Sequence, residues 1–469
     1  MAEAEEETKD RGTDGSARAE ASTLTVVLLA LAACLVAAMS DGIKNNYGIM
    51  LSSIIENSGL SYSTVSFVLA VGQLFYGMIQ PAFGIMAERK GGTVTLLTGV
   101  CMMLAGLLLL PYCTSAWSLV LCLGLLLPAG TGATSYGILI GCITPRIPAR
   151  TVSIVSGVVN ASSGVGNALL APVIQSFLET GGLSAAMVVL AIPTALMIPV
   201  CLYVGRRPDK GGRRGAGAND ADEAGRGAVE PAGTDAAAVT TSTAVGKAED
   251  GEAPAGTAVE PAAAATAEAA AAAATHQSVR SLFADAFGSR TYRLLMVGFF
   301  TCGFHMALIS NHLPSQFTSY GISEAVSSYA FSVYGVVTMI GSIISGALTG
   351  RFRQKNVLGT YYGSRSIITL VFLALPKTAP VIFGYAVALG LTGAATVPPV
   401  SGIIGREFGA ERVGTLYGFV FFIHQIGGFL GSWLGGLCVD AFGSYVPIWI
   451  VDIALSAVAA GASFLIREE

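Results

Sequence analysis

Long apolar runs separated by short polar segments dominate the pattern along the chain. A hydrocarbon layer about 30 Å thick is crossed by roughly 20 helical residues, each rising about 1.5 Å. Runs of this length exclude spanning strands, because a strand crosses lipid in about 9–11 residues. The pattern predicts twelve membrane-spanning helices, at about 22–52, 63–87, 93–112, 116–144, 151–178, 184–204, 291–317, 324–350, 356–375, 379–405, 413–438 and 444–466.

Charges in the connections predict how these helices are oriented. Connections after even-numbered predicted helices carry cations such as Arg89, Arg206 and Arg351, whereas Lys377 is the one clear cation after the odd-numbered ones. The positive-inside rule then places both termini in the cytoplasm of a multi-pass plasma or bacterial inner membrane protein. The acidic start of the chain lacks the basic region of a signal peptide, so we expect no cleaved leader.

A change of composition divides the chain into two halves. We predict a cytoplasmic tail at 1–21, a six-helix half at 22–204, a cytoplasmic linker at 205–290 and a second six-helix half at 291–469. The linker is rich in Gly, Ala, Glu, Asp and Thr and cannot bury a core, which predicts disorder. Near its end, SVRSLFADAFGSR spaces apolar residues at helical intervals, which predicts a short helix on the membrane surface.

The two halves also repeat each other weakly. One constant offset relates Gly84 to Gly346 and Arg150 to Arg412. A repeated six-helix unit is typical of transporters whose halves rock about a site near the bilayer midplane.

Composition limits the kinds of partner that the protein is expected to have. The chain is 53% hydrophobic and 12% charged, against about 25% charged residues in soluble domains, so the lipid bilayer is its surroundings. A net charge of −4 gives no reason to expect a nucleic-acid partner. We see no cofactor motif and no clustered catalytic or metal-binding set, so we expect no cofactor and no enzyme activity. We also expect the protein to be a monomer.

Two levels of family resemblance follow from the motifs. The loop GIMAERKGG after the second predicted helix resembles the Gly-x-x-Ala-Asp-Arg-x-Gly-Arg-Lys signature of the major facilitator superfamily, with Glu88 in place of the aspartate. The stretches GIKNNYGIML, SYSTVSFVLAVGQLFYGMIQPAFG, GFHMALISNHLPSQFTSYGIS and HQIGGFLGSWLGG resemble bacterial members of its monocarboxylate transporter and oxalate–formate antiporter branch.

The resemblance implies an all-α protein with twelve spanning helices in two pseudo-symmetric halves, and no enzyme. It implies transport of a small organic anion, with protons or a counter-anion as the second transported species. It also implies that Glu88, Arg89 and Arg351 form a charge latch beneath the halves. One departure is that helix 8, SVYGVVTMIGSIISG, lacks the arginine that often partners the carboxylate in this branch.

Charges inside apolar helices mark the candidate site, since a central charge costs about 2.5–3.5 kcal/mol on insertion scales. Lys44 lies roughly 33 Å along the first helix, near the outer mouth, with Asp41 beside it as a partner that gates the entrance. His424 lies about 18 Å from Arg412, near the midplane. Histidine side chains can gain or lose a proton near neutral pH, so we expect His424 to attract a carboxylate when protonated and to release it otherwise.

Arg365 leaves two readings open. It lies about 15 Å from Lys355, near the midplane, where a guanidinium could bind a carboxylate. It could instead pair with Asp452 and hold two helices together. Other polar residues on helices expected to line the cavity complete the candidate site: Gln73, Tyr136, Asn160 and His305.

The sequence leaves the substrate open. The favoured function is a secondary transporter of a mono- or dicarboxylate, by proton symport or anion exchange. A carrier of a drug or sugar on the same fold is an alternative, because fold does not determine substrate. A third possibility is a non-transporting membrane receptor that signals through the central linker. The linker argues against it, because its sequence shows no folded-domain pattern.

Overall fold

The structure is a computed structural model that describes residues 23–206, 279–409 and 412–468. The predicted tail at 1–21 and most of the predicted linker lie outside these residues. Helices make up the first described segment: α1 Thr23–Asn45, α2 Tyr47–Ser58, α3 Tyr62–Lys90, α4 Gly92–Leu109, α5 Ala116–Leu119, α6 Leu127–Ala133, α7 Tyr136–Ile143 and α8 Ala149–Val204. A π-helical segment, Val120–Leu126, joins α5 to α6.

Helices also make up the remainder of the described chain. They are α9 Val279–Gly288, α10 Arg290–Ser319, α11 Glu324–Arg351, α12 Gln354–Ala374, α13 Ala379–Thr392, α14 Val397–Phe408, α15 Val413–Phe442 and α16 Val446–Phe464.

Eleven described segments are long and apolar enough to cross a membrane. One of them, α8, has 56 residues and leaves the helical conformation at Gly182, where φ is 67°. A straight helix of that length would extend about 84 Å, far beyond a bilayer, so the chain turns back at this glycine. The described residues therefore make twelve passes, and the predicted all-α membrane fold is confirmed.

Several passes are broken near their middle. The first consists of α1 and α2, and the break lies at Asn46, whose φ is −102° and ψ is 13°. The Asn46 side chain donates to the carbonyl oxygen of Gly42 over 2.6 Å. A side-chain amide that bonds a carbonyl of the preceding turn competes with the helical ladder, which explains the break.

The two ends of the bundle differ in how the halves meet. We call the end at which the described chain starts and finishes the terminal side, and the opposite end the far side. A single cluster of buried apolar residues on the far side joins both halves, with Leu51 and Leu123 of the first half and Phe304 and Trp449 of the second. On the terminal side each half has its own cluster. The halves are therefore closed on the far side and apart on the terminal side.

Glycines allow the helices of the two halves to approach closely on the far side. A Cβ on Gly164 of α8 would lie 2.7 Å from the carbonyl oxygen of Gly335 on α11. A Cβ on Gly48 of α2 would lie 2.6 Å from the carbonyl oxygen of Ser310 on α10. Small residues at helix crossings allow this close contact in membranes.

The predicted short helix near the end of the linker is present as α9. Its Phe283 and Phe287 each pack edge-on against Phe419 of α15, with ring centroids 5.3 Å apart. Leu282 and Ala286 are buried in the terminal-side cluster of the second half. The helix is thus docked on that half through its apolar face.

Candidate functional site

Lys44 lies at the end of α1, immediately before the break. Its Nζ is 3.4 Å from Oδ1 of Asp41, and both side chains are about one-fifth exposed, at 19% and 21%. The ammonium also lies over the ring of Tyr76 on α3, 4.1 Å from its centroid. An ammonium over an aromatic face is attracted by the ring quadrupole.

The depth of Lys44 differs from the sequence-based expectation of a place near the outer mouth. The first pass continues to Ser58 instead of ending near residue 52. Lys44 and Tyr76 each stand 14 residues from the far-side turn, at Ser58 and Tyr62, which corresponds to about 21 Å of helix. Lys44 is therefore an interior cation.

A hydrogen bond joins the halves one turn from Tyr76. Gln73 of α3 donates from Nε2 to Oε1 of Gln425 on α15 over 2.9 Å. Gln425 is 1% exposed. Gly77 and Gly428 flank the pair and leave room for it, since a Cβ on either would press on the opposing glutamine side chain.

His424 adjoins this bridge. Its Nδ1 is 3.3 Å from Oε1 of Gln425. The imidazole is half-buried and stacks on Phe421, at 5.5 Å between centroids and an angle of 9°. It also contacts the ring of Phe299 at 5.0 Å. The two rings fix the orientation of the imidazole.

Two groups of contacts, Asp41–Lys44–Tyr76 and Gln73–Gln425–His424, meet α3 one turn apart, and we call them together the central site: Asp41, Lys44, Gln73, Tyr76, His424 and Gln425. Four of its members are sequence candidates, on three different helices: Asp41 and Lys44 on α1, Gln73 on α3 and His424 on α15. Tyr76 and Gln425 are additions from the structure. Their signal in the sequence is spacing alone, because Tyr76 shares a helix face with Gln73 and Gln425 follows His424 directly.

Arg365 lies outside the central site. It is fully buried, and its Nη2 donates to the carbonyl oxygens of Thr392 at 2.6 Å and Gly393 at 2.7 Å. Its Nη1 donates to Sγ of Cys302 over 3.4 Å. The guanidinium therefore caps the end of α13, where the helix dipole and free carbonyls favour a cation.

The suggested pairing of Arg365 with Asp452 is wrong. Oδ2 of Asp452 on α16 is instead 2.8 Å from Nδ1 of His305 on α10. Both side chains of that pair are buried, at 0% and 1% exposed. His305 therefore belongs to a pair within the second half and not to the central site.

The structure does not bring Tyr136 and Asn160 to the central site. Tyr136 starts α7 and is 37% exposed, with Ser156 of α8 beside its hydroxyl. Asn160 of α8 is exposed. Both residues lie towards the terminal side, where the halves are apart, so a role in lining the opening stays a prediction.

The three latch candidates lie at helix ends on the terminal side. Glu88 and Arg89 end α3 and Arg351 ends α11, and all three are exposed. Within the described residues, no ion pair joins them. This agrees with the separation of the halves on that side.

Comparison with known proteins identifies the family. The family model of the Major Facilitator Superfamily matches residues 29–317 and 295–469. The chain belongs to the major facilitator superfamily. It is accordingly a multi-span membrane protein of a transporter family that binds small molecules within the membrane, rather than a protein of an enzyme family.

Relatives within the superfamily are distant. The uncharacterized MFS-type transporter YcxA of Bacillus subtilis (strain 168) is 29% identical over 189 residues, which are 39% of this chain and 46% of that protein. This match thus spans less than half of YcxA. Monocarboxylate transporter 12 of Mus musculus is 21% identical over 407 residues, which are 83% of this chain and 74% of that protein.

A solved structure shares the fold. The crystal structure of a D-xylose-proton symporter superposes with a TM-score of 0.67 at 12% identity, covering 94% of this chain and 97% of that one. At this low identity the similarity indicates a shared fold and nothing about the substrate.

Proposed function

We propose that this major facilitator transports a small organic anion, a mono- or dicarboxylate, by alternating access, coupled to protons or to a counter-anion. The observation that carries the proposal is Lys44, an ammonium held inside the bundle beside Asp41 and over Tyr76. Similarity to a protein named monocarboxylate transporter 12 over 83% of this chain supports the same substrate class.

The central site offers an anion contacts from both halves. Lys44 gives a charge-assisted hydrogen bond, which is about twice as strong as a neutral one. Gln73 can turn its amide donor from Gln425 to the carboxylate, and the amide nitrogen of Gln425 can supply a second donor. His424 offers a ring N–H from α15, and in its protonated form a second positive charge. An anion bound here draws the two halves towards a common ligand.

Asp41 makes the attraction reversible. The carboxylate already shares the Lys44 ammonium at 3.4 Å, so an incoming anion competes with it instead of meeting an unpaired cation. A site that bound the anion with a free ammonium would release it slowly, because the full charge-assisted bond would have to be broken.

Alternating access requires the far-side contacts to open and the terminal side to close. On the far side Ser432 donates to the carbonyl oxygen of Ser66 over 3.2 Å, and the Ser63 amide donates to Asp440 over 2.9 Å. We assign Glu88, Arg89 and Arg351 to the latch that closes the other end. With the terminal side in the cytoplasm, as the cationic connections indicate, the present conformation faces inwards.

Reconstitution into liposomes tests the proposal. We expect saturable uptake of at least one labelled anion among lactate, pyruvate, formate, oxalate and acetate. Stimulation by acid outside the liposome indicates symport, and stimulation by internal anion without pH dependence indicates exchange. Uptake of no anion contradicts the carboxylate assignment and directs the search to sugars and other solutes, because α11 carries no charge between Ser332 and Gly346.

Variants then test the site. Lys44→Gln is expected to abolish saturable uptake, since the neutral amide cannot balance the negative charge of the anion. The matched control is Lys377→Gln, whose ammonium bonds the carbonyl oxygens of Phe372 and Leu373 at the end of α12. An unchanged KM in Lys44→Gln would remove Lys44 from the site, and an unchanged rate and pH profile in His424→Ala would remove His424.

A further inference from the structure

A second group of buried titratable residues lies in the C-terminal half, outside the central site. Nδ1 of His305 and Oδ2 of Asp452 are 2.8 Å apart, in side chains 0% and 1% exposed. The other nitrogen of His305, Nε2, and the other oxygen of Asp452, Oδ1, are buried and have no hydrogen-bond partner. Each of these two atoms is therefore free to gain or hold a proton without breaking an existing bond.

Two atoms of this pair are among the thirteen buried side-chain atoms without a hydrogen-bond partner in the described residues. Buried polar atoms in proteins are nearly always hydrogen-bonded, because an unpaired one costs the full desolvation penalty. Two unpaired atoms on one pair give up stability that a neutral, fully bonded pair would keep. Ionisable residues buried in membrane helices commonly mark ion pathways and proton relays.

Neighbouring helices bring other titratable or charged groups to the pair or to Cys302, which precedes His305 by one turn. The hydroxyl of Tyr385 on α13 interacts with the Asp452 carboxylate, and the ring of Trp449 on α16 contacts His305 edge-on at 6.1 Å. Five titratable or charged residues interact with Cys302: Tyr334 on α11, Tyr362 and Arg365 on α12, and Tyr417 and His424 on α15. Among them Arg365 carries a permanent positive charge.

Cys302 connects the pair with the central site. Its thiol faces the His424 imidazole and is 3.2 Å from Oγ1 of Thr396. Residues three apart on a helix share a face, so Cys302 and His305 lie on the same side of α10. Cys302, beside His424, and His305, beside Asp452, thus lie one turn apart on one face of α10.

We propose that the His305–Asp452 pair binds the proton that is co-transported with the anion. This rests on the proposed function in its symport form. With Asp452 ionised and His305 neutral, the pair bears one negative charge. It takes up one proton, on the imidazole or the carboxylate, to become neutral overall, and it returns that proton after the halves have switched. One singly charged anion and one proton together add no net charge to the bundle, which favours the switch only when both are bound.

Asp452→Asn tests the assignment, because asparagine still accepts a hydrogen bond from Nδ1 of His305 but cannot bind the proton. In liposomes we expect acid-driven accumulation of the anion to fall to the equilibrium ratio of unity. Exchange of labelled for unlabelled anion needs no net proton transfer, and we expect it to keep at least half of its wild-type rate. His305→Gln is the second variant, with the same expectation. Ser456→Ala is the matched control, since it removes another unpartnered buried polar group from α16.

Infrared difference spectroscopy between acid and alkaline pH gives a readout that needs no transport. We expect a difference band, from a protonated carboxyl or from an imidazolium, that is lost in Asp452→Asn and kept in Ser456→Ala. Accumulation in Asp452→Asn at the wild-type ratio, loss of exchange together with accumulation in folded protein, or absence of the band in wild type would overturn the proposal. Wild-type uptake that a proton gradient does not drive, and that occurs only in exchange for internal anion, overturns it as well, yet leaves the proposed substrate intact, whereas transport of no anion defeats the proposed function itself.

Discussion

Gln73 of α3 and Gln425 of α15 share a 2.9 Å hydrogen bond between the two halves, and both residues belong to the central site. The same bond thus closes the far side and occupies amide groups that can contact a ligand. A ligand that recruits either amide weakens the closure. Binding and opening of the far side are therefore coupled through one pair of side chains.

Gln425→Leu is expected to shift the protein towards the conformation that is open on the far side. The change removes the bridge and leaves the Gln73 amide unpaired, and a neutral hydrogen bond contributes about 0.5–1.5 kcal/mol. The population ratio should shift about two- to tenfold, since each 1.4 kcal/mol is tenfold. Distances between spin labels at Lys90→Cys and Arg353→Cys on the terminal side should shorten. Ser366→Ala, which removes a bond within the second half, should leave them unchanged; if it shortens them equally, the bridge is not specific.

Two glycines on α15 should respond differently to alanine. A Cβ at Gly427 would overlap the backbone carbonyl of Phe300 on α10, whereas nothing lies within 4 Å of a Cβ at Gly418. Overpacking costs about 1–3 kcal/mol, so Gly427→Ala should lower the melting temperature in detergent and Gly418→Ala should not. Equal melting temperatures for the two variants would contradict the close packing of α10 on α15.

The sequence predicts the fold well because apolar run length and loop charge are local signals. It also singles out Lys44, Gln73 and His424 as candidates, since polar residues in apolar helices are conspicuous, and the structure places them in the central site, whose role stays a proposal. It does not reveal which faces of two helices meet. Arg365 and Asp452 have suitable depths, but His305 on α10 takes the carboxylate and the carbonyls at the end of α13 take the guanidinium. Tyr76 is missed for a different reason, because a tyrosine in a membrane helix is not conspicuous.

Asp41→Asn is expected to tighten anion binding if Lys44 is the anion's partner. The change frees the ammonium from a competing carboxylate, and a partly exposed ion pair of this kind is worth about 0.2–1 kcal/mol. The KM of the transported anion should therefore fall about 1.4- to fivefold, with a tenfold change corresponding to about 1.4 kcal/mol. Glu56→Gln, an exposed acid on α2, is the control. A KM that rises in Asp41→Asn as much as in Lys44→Gln would show that the pair acts as one structural unit.

Arg365→Ala is expected to destabilise the protein without changing the affinity for the anion. Removing the guanidinium leaves the carbonyl oxygens of Thr392 and Gly393 unpaired, and a buried unsatisfied group costs about 1–3 kcal/mol. The melting temperature should fall, and the KM of the remaining folded protein should match that of wild type. Arg293→Ala removes an exposed arginine that bonds the carbonyl oxygen of Phe287 and should cost less. Exchanging the residues at 365 and 452 should fail to restore stability, because each ion's real partner, the end of α13 or His305, would then face the wrong charge. A raised KM at unchanged stability would instead return Arg365 to the anion site.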